Sequence, residues 1–285
     1  MNNVKTLILL TLLTTLLWWL AVSLYPQGGF WLGLVLAAVF NLGAYFFSDK
    51  FALMASRARP VSEQELPQVY GIIRMLTEVN DMPMPRIYVI DSPQPNAFAT
   101  GRNPKHGVVA VTTGLLQIMN RSELEGVLAH ELSHIRNRDI LISSVAAMIA
   151  AALVILARMA FWFGGSRDRN NQVGAIVALV AMIVAPIAAI LIRSAISRTR
   201  EYQADRTGAE MTGQPLALAS ALNKIGIAAE RIPMRVNDAV SQLYIENPLK
   251  SNSRRRGGGV MKLLSTHPPI DKRIAVLEHM ADPFS

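Results

Sequence analysis

The chain has 285 residues, no cysteine and a formal net charge of +8, with 51% apolar against only 17% charged residues. The absence of thiols excludes disulfides, Cys-ligated zinc and thiol catalysis, and the low charge density is unlike that of an ordinary soluble domain. No aromatic-basic interleaving supports recognition of nucleic acid, so the positive excess reads as juxtamembrane lysine and arginine beside anionic lipid.

Apolar residues are clustered. Leu7–Tyr25 and Phe30–Phe47 are uncharged runs split by Pro26-Gln27-Gly28-Gly29, each about the 17–25 residues needed to cross a bilayer core. A cleaved signal peptide is the competing reading of the first run, but that run is long for an h-region and a second follows at once. Two further runs, Ile140–Phe163 and Gln172–Ile192, are joined by a polar loop; Arg158 lies near one end of the first, where it can snorkel. The pattern predicts about four transmembrane helices and four segments: 1–48, an N-terminal hairpin; 49–139, the first polar block; 140–192, a second hairpin; 193–285, the second polar block. Lys5, Lys50, Arg57, Arg59, Arg136, Arg138, Arg193, Arg198 and Arg200 flank the spans on one side. Both termini and both polar blocks are therefore expected in the cytoplasm.

In the first polar block, Leu66, Val69, Ile73 and Leu76 repeat at helical spacing within Glu63–Val79. Arg86–Ile90, Asn96–Gly101 and His106–Thr113 read as three strands of a small antiparallel sheet. A helix then starts at a capping-box pattern, Ser122 with Glu125, and carries the stripe Leu124, Val127, Leu128, Leu132 and Ile135. If it runs on, about 9 Å separates His134 from Ile140. In the second block, Leu216–Ile227 and Ile270–Met280 read as helices, and Ser251–Gly259 as a linker whose arginines are solvated or touch lipid headgroups. The fold class expected is α+β, mainly helical, in a polytopic membrane protein.

His130 and His134 are four apart and share one helix face. Two imidazoles so placed can bind one Zn²⁺, and Glu131 between them can act as general base toward a metal-activated water. A catalytic zinc needs a third protein ligand. Glu201 and Asp205, also four apart, can supply that ligand and a carboxylate for the outer nitrogen of a zinc histidine. Arg198, Arg200 and Arg206 around them leave a surface ion-pair helix as the other reading. His267, before Pro268-Pro269, is either an oxyanion donor or a packed turn residue. Asn96, Ala97 and Phe98 either bind substrate backbone by strand addition or pack in the sheet. His106 and His279 read as surface residues.

Taken together, Glu131 within His130–His134, Glu201-x-x-x-Asp205, Asn96–Gly101 and Thr266-His267-Pro268-Pro269 resemble the M48 peptidase family, over nearly the whole chain. The resemblance implies a gluzincin-like zinc endopeptidase domain in the bacterial inner membrane, acting on misfolded or damaged membrane proteins. It implies one Zn²⁺ per chain held by His130, His134 and Glu201, with Glu131 as catalytic base. Two other classes compete: an intramembrane zinc protease, and a non-catalytic membrane scaffold that keeps zinc for structure. Oligomeric state is not legible in the chain.

Overall fold

The computed structural model describes residues 2–24, 27–145, 198–232, 240, 243–246 and 268–282. The fourth expected span, most of the third, the 251–259 linker and His267 lie outside the described residues. Two helices open the chain, α1 (Asn2–Leu24) and α2 (Gly29–Ala55). They pack against each other through small residues. Gly29, Gly33, Ala37, Ala44, Ser48 and Ala52 line the buried face of α2 at spacings of four or seven, the pattern by which apolar helices approach closely in lipid. A Cβ on Gly33 would sit 2.8 Å from Trp18 Cα. Inside this contact Asn41 Nδ2 donates to Thr14 Oγ1 at 2.6 Å. Outward, Trp31, Val35, Val39, Leu42 and Phe47 are exposed. Among the described residues α2 is the one helix long and apolar enough to cross a membrane by length and composition.

α2 runs unbroken past residue 48, and its last turns serve the polar domain. Ala52 and Leu53 pack with Phe98, Val108 and Ala110 on one face of the sheet. Three helices, α2, α3 (Pro67–Val79) and α5 (Arg121–Arg136), end on a non-glycine residue in left-handed conformation: Arg57 (φ 54°), Asp81 (φ 50°) and Arg138 (φ 58°). In each case the next residue's N–H reaches back across the last turn, as Asp139 N–H does to His134 O at 2.9 Å. The motif helix therefore does not continue into the next span. It breaks at 137–139, and residues 140–145 start a separate helix whose Ser144 Oγ lies 2.6 Å from Thr100 Oγ1.

The sheet has four strands in the order β1 (Arg59–Pro60), β2 (Arg86–Ile90), β4 (Val108–Thr112), β3 (Ala97–Thr100). It is mixed, which corrects the antiparallel expectation. β2 and β4 pair in parallel, Arg86 opposite Val108 through Ile90 opposite Thr112, while β3 pairs antiparallel to β4. The chain reverses twice, after β2 and again through Gly101 (φ 136°) and the 3-10 turn Pro104–His106. Two reversals restore the direction of β2, and β4 slots between its predecessors. The unpredicted β1 is a two-residue edge whose Pro60 has no N–H to give a ladder.

Every residue of β3 and β4 is buried. Alternation sends Ala97, Ala99, Val109 and Val111 into a core with α3 and α5, and Phe98, Val108 and Ala110 toward α2. Helix α3 starts at Pro67, later than the expected Glu63, because proline suits the first helical position. A short helix α4 (Thr113–Ile118) follows β4. After it, α5 begins two residues earlier than the Ser122 pattern suggests. Asn120 is its cap: Asn120 Oδ1 accepts from Glu123 N–H, and Glu123 Oε2 accepts from Asn120 N–H, both at 2.9 Å. Among the described residues three more helices follow: α6 (Arg198–Thr212), α7 (Pro215–Arg231) and α8 (Ile270–Ala281). Glu123 also accepts from Lys224 Nζ at 2.6 Å and Ser220 Oγ at 2.7 Å, so the cap of α5 is tied to α7. Burial opposes ionisation of Glu123, but these donors hold its carboxyl below the usual range.

Replacing Asn120 with alanine removes one of the reciprocal bonds and is expected to cost about 1 kcal/mol. Thermal unfolding should show a lower midpoint, whereas Ser122→Ala should leave it nearly unchanged.

Candidate metal centre

The expected stripe of α5 is buried, but so are His130, Glu131 and Ser133 on its other side. The helix is a central element rather than an amphipathic surface one. α6 covers its second face and crosses it closely at Gly208, where an added Cβ would lie 2.9 Å from His130 N. Ser133 Oγ reaches Ala204 O across the same contact at 3.3 Å. This approach turns Glu201, Ala204, Asp205 and Gly208 inward. The surface ion-pair reading of α6 does not survive, since Glu201 and Asp205 are both buried.

One donor atom from each of His130, His134 and Glu201 lies within 4.8 Å of the other two. His130 Nε2 is 4.0 Å from Glu201 Oε2, and His134 Nε2 is 3.8 Å from Glu201 Oε1. The imidazole rings stand nearly perpendicular, 88° apart with centroids 4.9 Å apart. Both outer nitrogens face carboxylates. His130 Nδ1 lies 2.9 Å from Asp205 Oδ1, and His134 Nδ1 lies 3.4 Å from Asp139 Oδ2. Two nitrogens and a carboxylate, with carboxylates behind the imidazoles, are a donor set suited to catalytic zinc.

Two groups were not singled out from the chain. Asp139 is placed by the left-handed turn at Arg138, which folds the chain back over His134. An acid just past a helix C-terminus opposes the helix dipole, and that was its signal. Arg273 is fully buried. Its Nε and Nη2 donate to Asp205 Oδ2 and Oδ1 at 2.8 and 2.7 Å. Its Nη1 donates to Ile245 O at 3.2 Å and lies 3.7 Å from Glu201 Oε2. The signal was a charge on the Ile270, Ile274, Leu277 face of α8.

Protonation follows from these contacts. Burial alone would lower the His134 pKa, but Asp139, Glu201 and Glu131 outweigh it and push it up to about 9. Burial likewise opposes ionisation of Asp205, yet Arg273 and then His130 bring it down to about 2. Burial lifts Glu131 above the usual carboxylate range, against the pull of both histidines. Of the other expected residues, Asn96, Ala97 and Phe98 are buried at the start of β3, and His106 and His279 are exposed.

A helix-borne histidine pair closed by a glutamate from a second helix defines the active-site class of a zinc metallopeptidase. The family model "Peptidase family M48" matches residues 63–281, and the chain belongs to that family. It is a membrane-associated zinc metallopeptidase. It is 50% identical over 285 residues to "Protease HtpX homolog" of Thermodesulfovibrio yellowstonii, with 99% of both chains covered. It is 48% identical to the protein of the same description from Syntrophotalea carbinolica, with 98% of this chain and 99% of the relative covered. The crystal structure of S. mikatae Ste24p shares the fold, with a TM-score of 0.52 at 18% identity. That match covers 95% of this chain, which spans 62% of the Ste24p chain.

Two outcomes are expected. A protonated His134 must lose its proton to become a metal ligand, so zinc binding at pH 7.5 should release about one proton, and affinity should rise with pH up to about 9. Calorimetry in two buffers of unequal ionisation enthalpy measures this. The sign is opposite for the metal-free fold: stability from this raised pKa is complete below 6.5 and lost as pH rises through about 9. Second, Gly208→Val should push α6 from α5 and weaken zinc binding at least tenfold, read by competition with a chromogenic chelator.

Proposed function

We propose that this chain is a membrane-bound zinc metalloendopeptidase that cleaves misfolded or damaged membrane proteins at the cytoplasmic face of the bacterial inner membrane. The observation that carries the reading is the convergence of His130, His134 and Glu201 beside the buried Glu131, in a domain seated on the end of an apolar helix. His130, His134 and Glu201 would hold the zinc, which when bound supplies Lewis-acid polarisation of a water and of the scissile carbonyl. Glu131 takes the proton of the attacking water and delivers it to the leaving amine. Burial, which raises its pKa, makes the carboxylate a stronger acceptor of that proton. Asp205 fixes the ring of His130, and Asp139 that of His134. A substrate main chain adds to the β3 edge at Asn96–Phe98. His267 serves as a donor to the oxyanion, a role resting on its place before Pro268-Pro269.

The intramembrane alternative fits less well. α5 is packed against β3, β4, α3, α6 and α7, all parts of the polar domain. The scaffold alternative leaves the buried Glu131 between the metal donors without a task.

Glu131→Gln should keep one zinc per chain and lose casein cleavage by about two to four orders of magnitude. Unchanged cleavage would sink the assignment, and failure of the wild type to cleave a soluble unfolded protein would favour the intramembrane reading. Glu201→Ala should lose the metal. Orientation is open to direct labelling, because the chain has no cysteine. A single cysteine at the exposed Lys105 should react with an impermeant maleimide in inverted vesicles only.

A further inference from the structure

In the described segment 243–246, Ile245 and Glu246 bind the start of β3, Asn96 and Arg273 through their main chain. Ile245 N–H donates to Ala97 O at 3.0 Å, and Ile245 O accepts from Arg273 Nη1 at 3.2 Å. Glu246 N–H donates to Asn96 Oδ1 at 3.3 Å, and Glu246 O accepts from Asn96 Nδ2 at 2.7 Å. Two consecutive residues thus have every backbone polar group bound, by groups that read no side chain. That is how a protein grips a peptide of unspecified sequence at a sheet edge. The side chains of Tyr244 and Ile245 enter different clusters. Tyr244 stacks edge-on against Phe98 with ring centroids 5.0 Å apart, and Ile245 enters the core that contains α5.

The gripping groups reach the metal donors. The Arg273 guanidinium that takes Ile245 O lies 3.7 Å from Glu201 Oε2 and 3.5 Å from His130 Nε2. At the same time His130 and Glu131 are only 1% and 2% exposed, whereas peptide hydrolysis needs an open position at the metal.

We propose that Ile245-Glu246 is an internal occupant of the substrate's backbone site, and that Asn96, Ala97 and Arg273 grip the substrate main chain when this segment leaves. The inference rests on the strand-addition reading above and deepens it by adding Arg273 and a self-blocked resting state. A substrate re-forms the same four bonds, so the exchange costs mainly the side-chain contacts of Tyr244 and Ile245. The residue that replaces Ile245 enters the same apolar surroundings and is therefore apolar. An attached segment competes at high effective concentration, which selects against dilute soluble peptides and favours chains confined to the same membrane.

The test uses the full-length, zinc-loaded protein in detergent on a Glu131→Gln background, with a fluorescent peptidyl hydroxamate carrying two apolar residues. Ile245→Pro removes the N–H that binds Ala97, and should tighten probe binding at least tenfold. On the Ile245→Pro background, Asn96→Ala, which removes both side-chain bonds to the second residue's main chain, should weaken it at least tenfold at unchanged zinc content. Equal affinity with and without Ile245→Pro overturns the proposal, as does failure of the probe to bind either protein. Should the proline variant not fold, hydrogen exchange on the Ile245-intact protein decides. Exchange at 243–246 should accelerate when saturating probe is added; retained protection there means a permanent fifth strand and overturns the proposal. Casein cleavage by the wild type, lost in Glu131→Gln, checks the peptidase reading separately. If that cleavage is present while the hydroxamate arms fail, only the self-blocking inference falls.

Discussion

The buried pair of Arg273 with Asp205 is the contact on which the site depends. Both side chains are fully buried and joined by two hydrogen bonds of 2.7–2.8 Å. Such a pair adds little net stability, because each ion gives up several kcal/mol of hydration, yet removing one partner leaves an uncompensated charge at a cost of about 3–5 kcal/mol. Its value here is geometric. Arg273 comes from α8, Asp205 from α6, and Asp205 Oδ1 sits 2.9 Å from Nδ1 of His130 on α5. One guanidinium therefore fixes the mutual position of three helices and the ring of a metal donor. It also takes the carbonyl of Ile245, so the segment on the sheet edge is tied to the same point.

A second constraint joins this centre to the membrane. α2 ends by packing Ala52 and Leu53 on the sheet face opposite α5. β3 and β4, which lie between them, are buried on both faces. On the far side, Thr100 and Ser144 fix the helix that begins at residue 140 against the end of β3. The peptidase domain is thus clamped at both ends of β3 by helices leading to apolar segments.

Most of the site was legible because its residues obey local spacing. His130 with His134 and Glu201 with Asp205 are both pairs at i and i+4, and helical periodicity alone puts each pair on one face. Most elements of the polar blocks were legible for the same reason, to within a few residues, whereas β1 and α4 were not. What failed was non-local or depended on turn geometry. Parallel pairing of β2 with β4 is decided by the number of chain reversals, not by the strands' own composition. The capping box was misplaced by two residues because Ser122-x-x-Glu125 and Asn120-x-x-Glu123 are overlapping candidates, and only the second has Lys224 and Ser220 waiting for its glutamate. The break after α5 was missed because its left-handed residue is Arg138 rather than glycine.

The overlooked Arg273 and Asp139 have a common cause. Each looks misplaced by local rules, a charge on the apolar face of α8 and an acid at the C-terminus of α5. Local propensity treats such residues as noise, but a fold keeps an unfavourable local choice where a distant partner compensates for it. Here the partners are the outer nitrogens of the metal histidines, reached through Asp205 for His130 and directly for His134. The conflict between residue and local environment was itself the mark of the site. Read as a search rule, charges on core-facing stripes and acids just past helix ends are where the unseen half of a metal centre should be sought.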